Sequence, residues 1–245
     1  MTSDRPIPHE PGTQYALPLV VRVERATPPN RTDALEGAAR AVLFFLTDPR
    51  ATDGEWTAAV RAWEDARIRK VVRRARGAAW QRALALPGIT INHGTAQIRV
   101  FPPVPTDDWP ADLARLQVSG TEFEDPGPPA GPGEPRAGTP VLWLNPRLPM
   151  TAGKAMAQAG HAAQIAWWGL EPPDRSEWRE LDFDLAVRAA DAGRWAELLG
   201  SGLPVVRDGG FTEVAPGSCT VVADLPALRP ERPGRPWRPA RLGRS

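Results

Sequence analysis

A proline- and glycine-rich segment at residues 126–139 divides the chain into two halves and limits the folds available to it. The segment contains no residue that forms a core, which is typical of a linker. The 245 residues suffice for two compact domains. The halves also align with each other, with shifts of 123 and then 115 positions. The aligned pairs include Ala34 and Ala157, Gly37 and Gly160, Trp63 and Trp178, and Trp80 and Trp195.

This alignment predicts an internal duplication, in which each half reads as strand, helix, helix, strand and strand. In the C-terminal half, these elements are expected at about 140–145, 152–169, 182–199, 203–207 and 219–224. The pattern predicts an α/β fold: two tandem three-layer α/β/α domains, each with a small mixed sheet, arranged as a pseudo-dimer. The expected boundaries are 13–125 for a degenerate first repeat, 126–139 for the linker, 140–228 for the second domain and 229–245 for a disordered Arg/Pro tail. The alternative is a chance alignment of helical stretches rich in Ala and Arg.

Composition excludes several classes of protein. The net charge is +1, so the overall charge predicts no partner. Cys219 is the sole cysteine, so no intramolecular disulfide can form and a reducing compartment is expected. No apolar run approaches the roughly 20 residues of a membrane span, and the first residues show no signal-peptide core. A cytoplasmic protein without membrane contact is therefore expected.

Three polar side chains stand out in a segment of small residues that follows an apolar run at 141–144. Lys154, Gln158 and His161 lie at i, i+4 and i+7, so a helix places them on one face. Such a face at the start of a helix after a strand suits a polar, anionic ligand. The 30 basic residues are 28 Arg and only Lys70 and Lys154, so lysine in this face indicates a need for a compact ammonium. The N-terminal half has Arg31, Leu35 and Ala38 at the corresponding positions and lacks the triplet.

A second polar cluster follows the short apolar run at 203–206. Asp208 is expected at the C-terminal end of this strand, where ligands bind in open α/β sheets. The glycines at 209 and 210 permit an unusual backbone path, and Thr212 lies close behind. Asp208 and Lys154 could therefore face one crevice, in which a carboxylate orients water and an ammonium steadies an oxyanion. The alternative is an Asp-Gly turn that the threonine caps.

Together, the two clusters resemble the type 2 peptidyl-tRNA hydrolase family. The resemblance rests on Lys-x3-Gln-x2-His from Lys154 to His161 and on the segment 208–218 before an apolar strand. It covers about 140–226 and extends weakly to 15–125. It implies a compact α/β domain with a mixed sheet, commonly paired as a homodimer. It also implies hydrolysis of the ester that joins a peptide to tRNA, with no metal or organic cofactor.

The resemblance also implies roles for single residues. Those implied for catalysis are Lys154, Asp208 and Thr212, while Gln158 and His161 shape the same site. Gln158, Gly153 and Gly210 are expected to bind the substrate. In the mechanism we expect, Asp208 orients or activates water that Thr212 holds, and Lys154 stabilises the carbonyl oxyanion or a nearby phosphate. His161 either transfers a proton to the leaving ribose hydroxyl or is a packed structural residue.

Several positions depart from the family pattern. Asn145 and Arg147 stand where an Arg and an Asp are usual, and Ala159–Gly160 replaces a Cys before the motif His. Phe211 replaces an Arg that would lie near the tRNA backbone, which removes one phosphate contact. The family's final strand is absent, and residues 116–123 are a candidate replacement. These departures bear on substrate affinity more than on fold.

Two basic segments are candidate RNA contacts. Residues 67–76, taken as a helix, carry cations that could bind phosphates, namely Arg67, Arg69, Lys70, Arg73 and Arg74; the alternative is a solvated helix face. In the tail, arginines recur at every third residue from Arg229 to Arg244. A polyproline II helix has three residues per turn, so these cations would line one edge, with Trp237 available to stack on a base. The alternative is a disordered tail.

The leading hypothesis is a peptidyl-tRNA hydrolase with one active site, in the C-terminal half. The N-terminal half would act as a built-in dimer partner, so the chain is expected to be a monomer that acts as an internal pseudo-dimer. Its expected partner is peptidyl-tRNA, the substrate. Two alternatives remain: a catalytically weak tRNA- or RNA-binding protein on the same fold, and a hydrolase of another acyl ester.

Overall fold

The computed structural model of the protein describes residues 13–127, 132–210 and 213–229. The elements of the N-terminal half are β1 (Tyr15–Arg22), α1 (Arg31–Leu46), α2 (Pro49–Thr52), α3 (Thr57–Asp65), β2 (Lys70–Ala75), α4 (Gly77–Ala85), β3 (Ile89–His93), β4 (Ala96–Val100), β5 (Val104–Pro105) and α5 (Ala111–Ala114). Those of the C-terminal half are β6 (Val141–Leu144), α6 (Ala152–Gly169), α7 (Pro172–Glu180), β7 (Ala186–Ala189), α8 (Ala192–Gly200), β8 (Val205–Arg207), β9 (Cys219–Asp224) and a 3₁₀ helix (Pro226–Leu228).

Each half contains a mixed sheet with the same strand order. The first sheet runs β2-β1-β4-β3, with β5 beside β1, and the second runs β7-β6-β9-β8. In both, the central strand is parallel to the strand on one side and antiparallel to the strand on the other. Leu19 lies opposite Val72 in the first sheet, and Leu142 lies opposite Val187 in the second. The mixed α/β class predicted from the sequence is therefore confirmed.

Alternating residues of the central strands face different cores. Leu19 of β1 belongs to a cluster with α1, whereas its neighbour Val20 packs with Trp80 of α4. Leu142 of β6 joins the same cluster as Leu19, while Trp143 packs on Trp195 of α8. Because side chains alternate across a strand, each sheet lies between helices on its two faces.

Helices α1 and α6 pack against each other, and one hydrophobic cluster contains residues of both halves. Gly160 marks the close approach of the two helices, since a Cβ there would lie 3.0 Å from Cγ2 of Val42. Helix α6 also contacts β2, and α1 contacts β7, so each of the two helices reaches the sheet of the other half. The two halves therefore share part of their core.

Several local details recur under the shift of 115 positions. Trp63 Nε1 donates to the carbonyl of Arg69 at 2.8 Å, and Trp178 Nε1 donates to that of Asp184 at 2.9 Å. The residue directly before each acceptor has a positive φ, which is 44° at Ile68 and 55° at the corresponding Phe183. The correspondence between the halves thus extends from strand order to single hydrogen bonds.

Three predictions of secondary structure were wrong. The helix expected over 182–199 is strand β7 followed by the shorter helix α8, and α7, which begins with Pro172 in its first turn, was not predicted. The basic segment 67–76 contains strand β2 instead of a helix. Residues 116–123 form only an isolated bridge, between Gln117 and Arg74. Ala and Arg favour helices locally, but parallel pairing with β1 and β6 overrides that preference in β2 and β7.

Among the described residues, no helix is both long and apolar enough to cross a membrane.

Candidate functional site

A cavity of about 610 Å³ is lined by residues of both halves. Helix α6 contributes Lys154, Gln158 and His161, so the three polar side chains predicted to share a helix face do line one cavity. Asp208 and Gly209 line the same cavity from the loop after β8. The N-terminal half contributes most of β2 and the residues that precede it.

Asp208 is the point on which the polar side chains converge. Its Oδ2 accepts from Nζ of Lys154 at 2.6 Å and from Nε2 of Gln158 at 2.8 Å. The Lys154 and Asp208 side chains are only 10% and 8% exposed, so water screens this ion pair weakly. The spatial proximity of Lys154 and Asp208 that the sequence suggested is therefore present.

Thr220 of β9 fixes the orientation of the Gln158 amide. Its hydroxyl donates to Oε1 of Gln158 at 2.5 Å, and both residues are buried. Since Oε1 is the acceptor for Thr220, the amide nitrogen is left to donate to Asp208. Sequence reasoning missed Thr220; the available signal was a single hydroxyl residue directly before three apolar residues of the strand.

Gly210 sets the shape of the loop that carries Asp208. Its amide donates to Oδ1 of Asp208 at 2.8 Å, and its φ is +77°. A Cβ at this position would lie 2.3 Å from Cγ of Pro216. Gly210 is thus required for the path of the chain, whereas the sequence assigned it to substrate contact. Thr212 and Phe211 lie outside the described residues.

The N-terminus of α6 is capped by protein groups. Thr151 accepts from the amide of Lys154 at 3.2 Å, and the Glu213 carboxylate accepts from the amide and hydroxyl of Thr151 at 2.8 and 2.7 Å. The amide of Gly153 donates to Oγ1 of buried Thr121 at 3.2 Å. Gly153 also lines the cavity, and its amide is held by the N-terminal half, so its contact with the substrate stays a prediction. Glu213 and Thr121 were not predicted.

His161 contacts Lys70 of strand β2 instead of Asp208. Nζ of Lys70 lies 3.3 Å from Nδ1 of His161, and Lys70 is only 6% exposed. Burial lowers the pKa of His161 well below its ordinary value, and the positive charges of Lys70 and Lys154 lower it further. Burial also lowers the pKa of Lys70, against the opposing effect of Glu64. Lys70 is thus nearly buried at the cavity instead of lying on an exposed helix face, and its contact with RNA stays a prediction.

The arginines that were predicted to contact RNA lie on or just before strand β2, and not on a helix. Arg67, Arg69 and Arg73 line the cavity. The guanidinium of Arg73 stacks 4.4 Å from the ring centroid of Trp109 and also donates to main-chain carbonyls. Arg74 donates to the carbonyl of Ser119 at 2.8 Å.

The first arginine of the tail is held in an ion pair. Arg229 Nε lies 2.8 Å from Oδ1 of Asp224, and this hydrogen bond raises the pKa of Arg229. The tail beyond Arg229, including Trp237 and Arg244, lies outside the described residues, as do residues 128–131 of the linker.

Asn145 has a structural role at the end of β6. Its Nδ2 donates to the carbonyl of Cys219 at 2.8 Å, and its Oδ1 accepts from the amide of Arg147 at 2.9 Å. Asn145, which departs from the family pattern, therefore links the end of β6 to β9, and its side chain is uncharged.

The N-terminal half has a different polar cluster at the corresponding place. His93, which aligns with Asp208, lies 2.8 Å through Nε2 from Glu36 and 2.7 Å through Nδ1 from Arg40. Asp33 lies close enough to Glu36 and His93 for the three to share a metal ion. Asp33 is bound by Thr95, however, and both ring nitrogens of His93 are engaged. These contacts make the donor set a hydrogen-bond network within the N-terminal half.

Comparison with known families gives one match. Residues 139–231 match the model of the family described as Peptidyl-tRNA hydrolase PTH2. A comparison with curated proteins finds no match. The matched residues include α6 and the loop of Asp208, so they contain the convergent polar groups of the cavity.

Proposed function

We propose that this chain, whose residues 139–231 form a domain of the peptidyl-tRNA hydrolase PTH2 family, hydrolyses the ester between peptide and tRNA in peptidyl-tRNA. The observation that carries the proposal is the convergence of Lys154 and Gln158 on Asp208 in one cavity. Hydrolysis frees tRNA from products of stalled translation.

Lys154 stabilises the charge that develops during the reaction. Attack of water on the ester carbonyl places a negative charge on the carbonyl oxygen. An ammonium has three N–H donors, and Lys154 gives one to Asp208, which leaves two for the substrate. Because the ammonium is nearly buried, its interaction with an oxyanion is stronger than in bulk water.

Asp208 orients the attacking water. Oδ2 already accepts from Lys154 and Gln158, whereas Oδ1 accepts only from the amide of Gly210 among the described residues. A carboxylate oxygen can accept two hydrogen bonds, so Oδ1 keeps a position for water. We assign Thr212, which follows in the same loop, to hold this water. Esters are labile enough that positioning of the water supplies much of the effect.

His161 contributes a neutral imidazole. Its pKa lies well below the ordinary value, so the ring carries one N–H donor near neutral pH. It can therefore donate one hydrogen bond to the substrate, but it holds no spare proton for the leaving ribose hydroxyl. We assign both proton transfers to solvent water, which takes up the proton that the attacking water loses and delivers one to the leaving ribose oxygen.

The N-terminal half serves as a built-in dimer partner, and the chain acts as a monomer. Two observations support this part of the proposal: the two sheets have the same strand order, and α1 and α6 pack in a shared core. Arg67, Arg69 and Arg73 of this half line the cavity, so we propose that they bind phosphates near the tRNA 3′ end. Such contacts weaken as the salt concentration rises.

The experiment that tests the function measures release of free tRNA from peptidyl-tRNA by the full chain. We expect turnover by the wild type and losses of about 10²–10³-fold in Lys154→Ala and Asp208→Asn, as for removal of one group that stabilises an oxyanion. Asp53→Asn removes an exposed carboxylate and serves as the control, with a rate close to wild type.

The outcomes separate the alternatives. A wild type that binds tRNA without turnover would favour the RNA-binding alternative. Turnover of a simple acyl ester without turnover of peptidyl-tRNA would favour another hydrolase. Full rates in both site variants would exclude this site.

A further inference from the structure

Both lysines of the chain lie at the same cavity. The other 28 basic residues are Arg, yet Lys154 of α6 and Lys70 of β2 both line the cavity of the candidate site. Lys154 belongs to the helix motif of the matched family domain. Lys70 comes from the N-terminal half, outside the residues that match the family.

Three polar atoms surround Nζ of Lys70. It donates to Oε1 of Gln164 at 2.5 Å and to the carbonyl of Ile68 at 3.4 Å, and it lies 3.3 Å from Nδ1 of His161. An ammonium has three N–H donors, so it matches this set in number. The ring centroid of Trp63 lies 4.8 Å from Nζ, and a cation gains from such an aromatic face.

The tautomer of His161 that this contact allows depends on whether Lys70 is an ammonium or a neutral amine. The Gln164 and Ile68 oxygens are acceptors only, so they take two protons in either charge state. An ammonium then has a third proton for Nδ1 of His161, which leaves the ring proton on Nε2. A neutral amine would instead present its lone pair to Nδ1 and require the opposite tautomer. The other charged groups that act on the pair are Glu64, beside Lys70, and Lys154, beside His161.

We propose that Lys70 is a positioning residue, contributed by the N-terminal half, which as an ammonium holds His161 of the C-terminal half as the neutral Nε2–H tautomer. The proposal rests on the proposed function only in what the Nε2 proton is used for, namely a hydrogen bond to the substrate. The site of the C-terminal half is therefore incomplete without the N-terminal half.

The second copy of the arrangement lacks both members of the pair. The residue that aligns with Lys70 is Leu185, which is buried, and the residue that aligns with His161 is Ala38. Lysine and histidine thus occupy one of the two equivalent places between the halves, and both positions are apolar in the other. The stem of Lys70 also fits beside Gly160, where a Cβ would lie 3.2 Å from Cδ of Lys70.

The experiment uses the full chain labelled with ¹⁵N-histidine and reads the ring nitrogens by NMR. The chain has three histidines, and the His161→Gln variant assigns the signals of His161. In the wild type, we expect an unprotonated Nδ1 and a protonated Nε2 near neutral pH. In Lys70→Leu, both tautomers become populated and the pKa of His161 rises, because a donor and a positive charge are removed.

Lys70→Leu installs the residue that the other half has at the same position, so it should fold; Lys70→Met, with an unbranched stem, is measured if it does not. A protonated Nδ1 in the wild type, or ¹⁵N shifts of His161 that neither variant changes, would overturn the proposal. If the wild type turns over peptidyl-tRNA, we expect Lys70→Leu to lower kcat about 10-fold at unchanged KM. This is in the range for loss of a group that orients a site residue. A wild type without turnover would refute the proposed function, and the tautomer result would still decide the role of Lys70.

Discussion

Replacement of Glu36 by Gln tests a buried polar contact between the halves. Glu36 of α1 is a buried carboxylate that accepts from the amide of Val187 at 3.0 Å and from Nη1 of Arg188 at 2.7 Å, both in β7. It also accepts from Nε2 of His93 at 2.8 Å. Burial raises the pKa of Glu36, but the hydrogen bonds of His93, Val187 and Arg188 outweigh it, so the pKa lies below its ordinary value.

The magnitude follows from the three donors. Arg40 donates to Nδ1 of His93, so His93 carries its proton on Nε2 and donates to Glu36. A Gln has one acceptor oxygen, so its amide group must face either His93 or Arg188 as a second donor. We expect the donor that is left unpaired to lower the free energy of unfolding by about 1–3 kcal/mol. The charge pair with Arg188, whose side chain is 19% exposed, adds less than about 1 kcal/mol after screening. The total loss is therefore about 1–4 kcal/mol.

Urea unfolding at 25 °C, followed by tryptophan fluorescence, measures this loss at several pH values. A lowered pKa means that Glu36 stabilises the fold above its unfolded pKa of about 4.3, and that this stability is lost as the pH falls through the folded pKa. The difference between the wild type and Glu36→Gln should therefore be largest at pH 7 and shrink below about pH 4. Glu122→Gln, at an exposed carboxylate, is the control and should change stability by less than about 0.5 kcal/mol. A difference at pH 7 no larger than in the control, or one that is constant down to pH 3, would refute the reasoning.

Two further predictions concern the loop of the site and the correspondence of the halves. Gly210→Ala should lower turnover of peptidyl-tRNA by about 10-fold or more, since its φ is +77° and the added Cβ would meet Pro216; a full rate with an unchanged circular dichroism spectrum would contradict this. Trp63→Phe and Trp178→Phe should each cost about 1 kcal/mol in urea unfolding, because each removes one hydrogen bond to a main-chain carbonyl. A loss in only one of the two variants would show that these positions are not equivalent.

The elements that could be predicted from the sequence are those with strong local signals. Helix α6 begins directly after Thr151, which caps it, and consists mostly of Ala, so its predicted range of 152–169 is confirmed. The predicted strand at 219–224 is confirmed as well. Strands β2 and β7 could not be predicted in this way. They are short and rich in Arg and Ala, and their partners lie 45 residues or more away along the chain.

The residues of the candidate site also divide into those with a local sequence signal and those without one. Lys154 and Asp208 could be found because each lies in a recognisable local motif. Thr220 and Lys70 could not, since their roles depend on contacts with α6 across 62 and 91 residues. A charged residue in a basic segment suggests the surface, and only the tertiary structure places Lys70 in the core. Its identity as one of two lysines among 30 cations was the single signal available.

The N-terminal half lacks the polar triplet. Under the proposed duplication, three contacts explain why this half would be retained. Thr121 binds the amide of Gly153 at the start of α6, and Lys70 contacts His161 two turns later on the same helix. Glu36 binds β7, which pairs with the strand that leads into α6. A change at any of these positions therefore acts on the site helix or on the sheet beside it, whereas loss of the triplet from α1 leaves all three contacts in place. The chemistry can then be confined to one copy while the other copy remains necessary for its geometry.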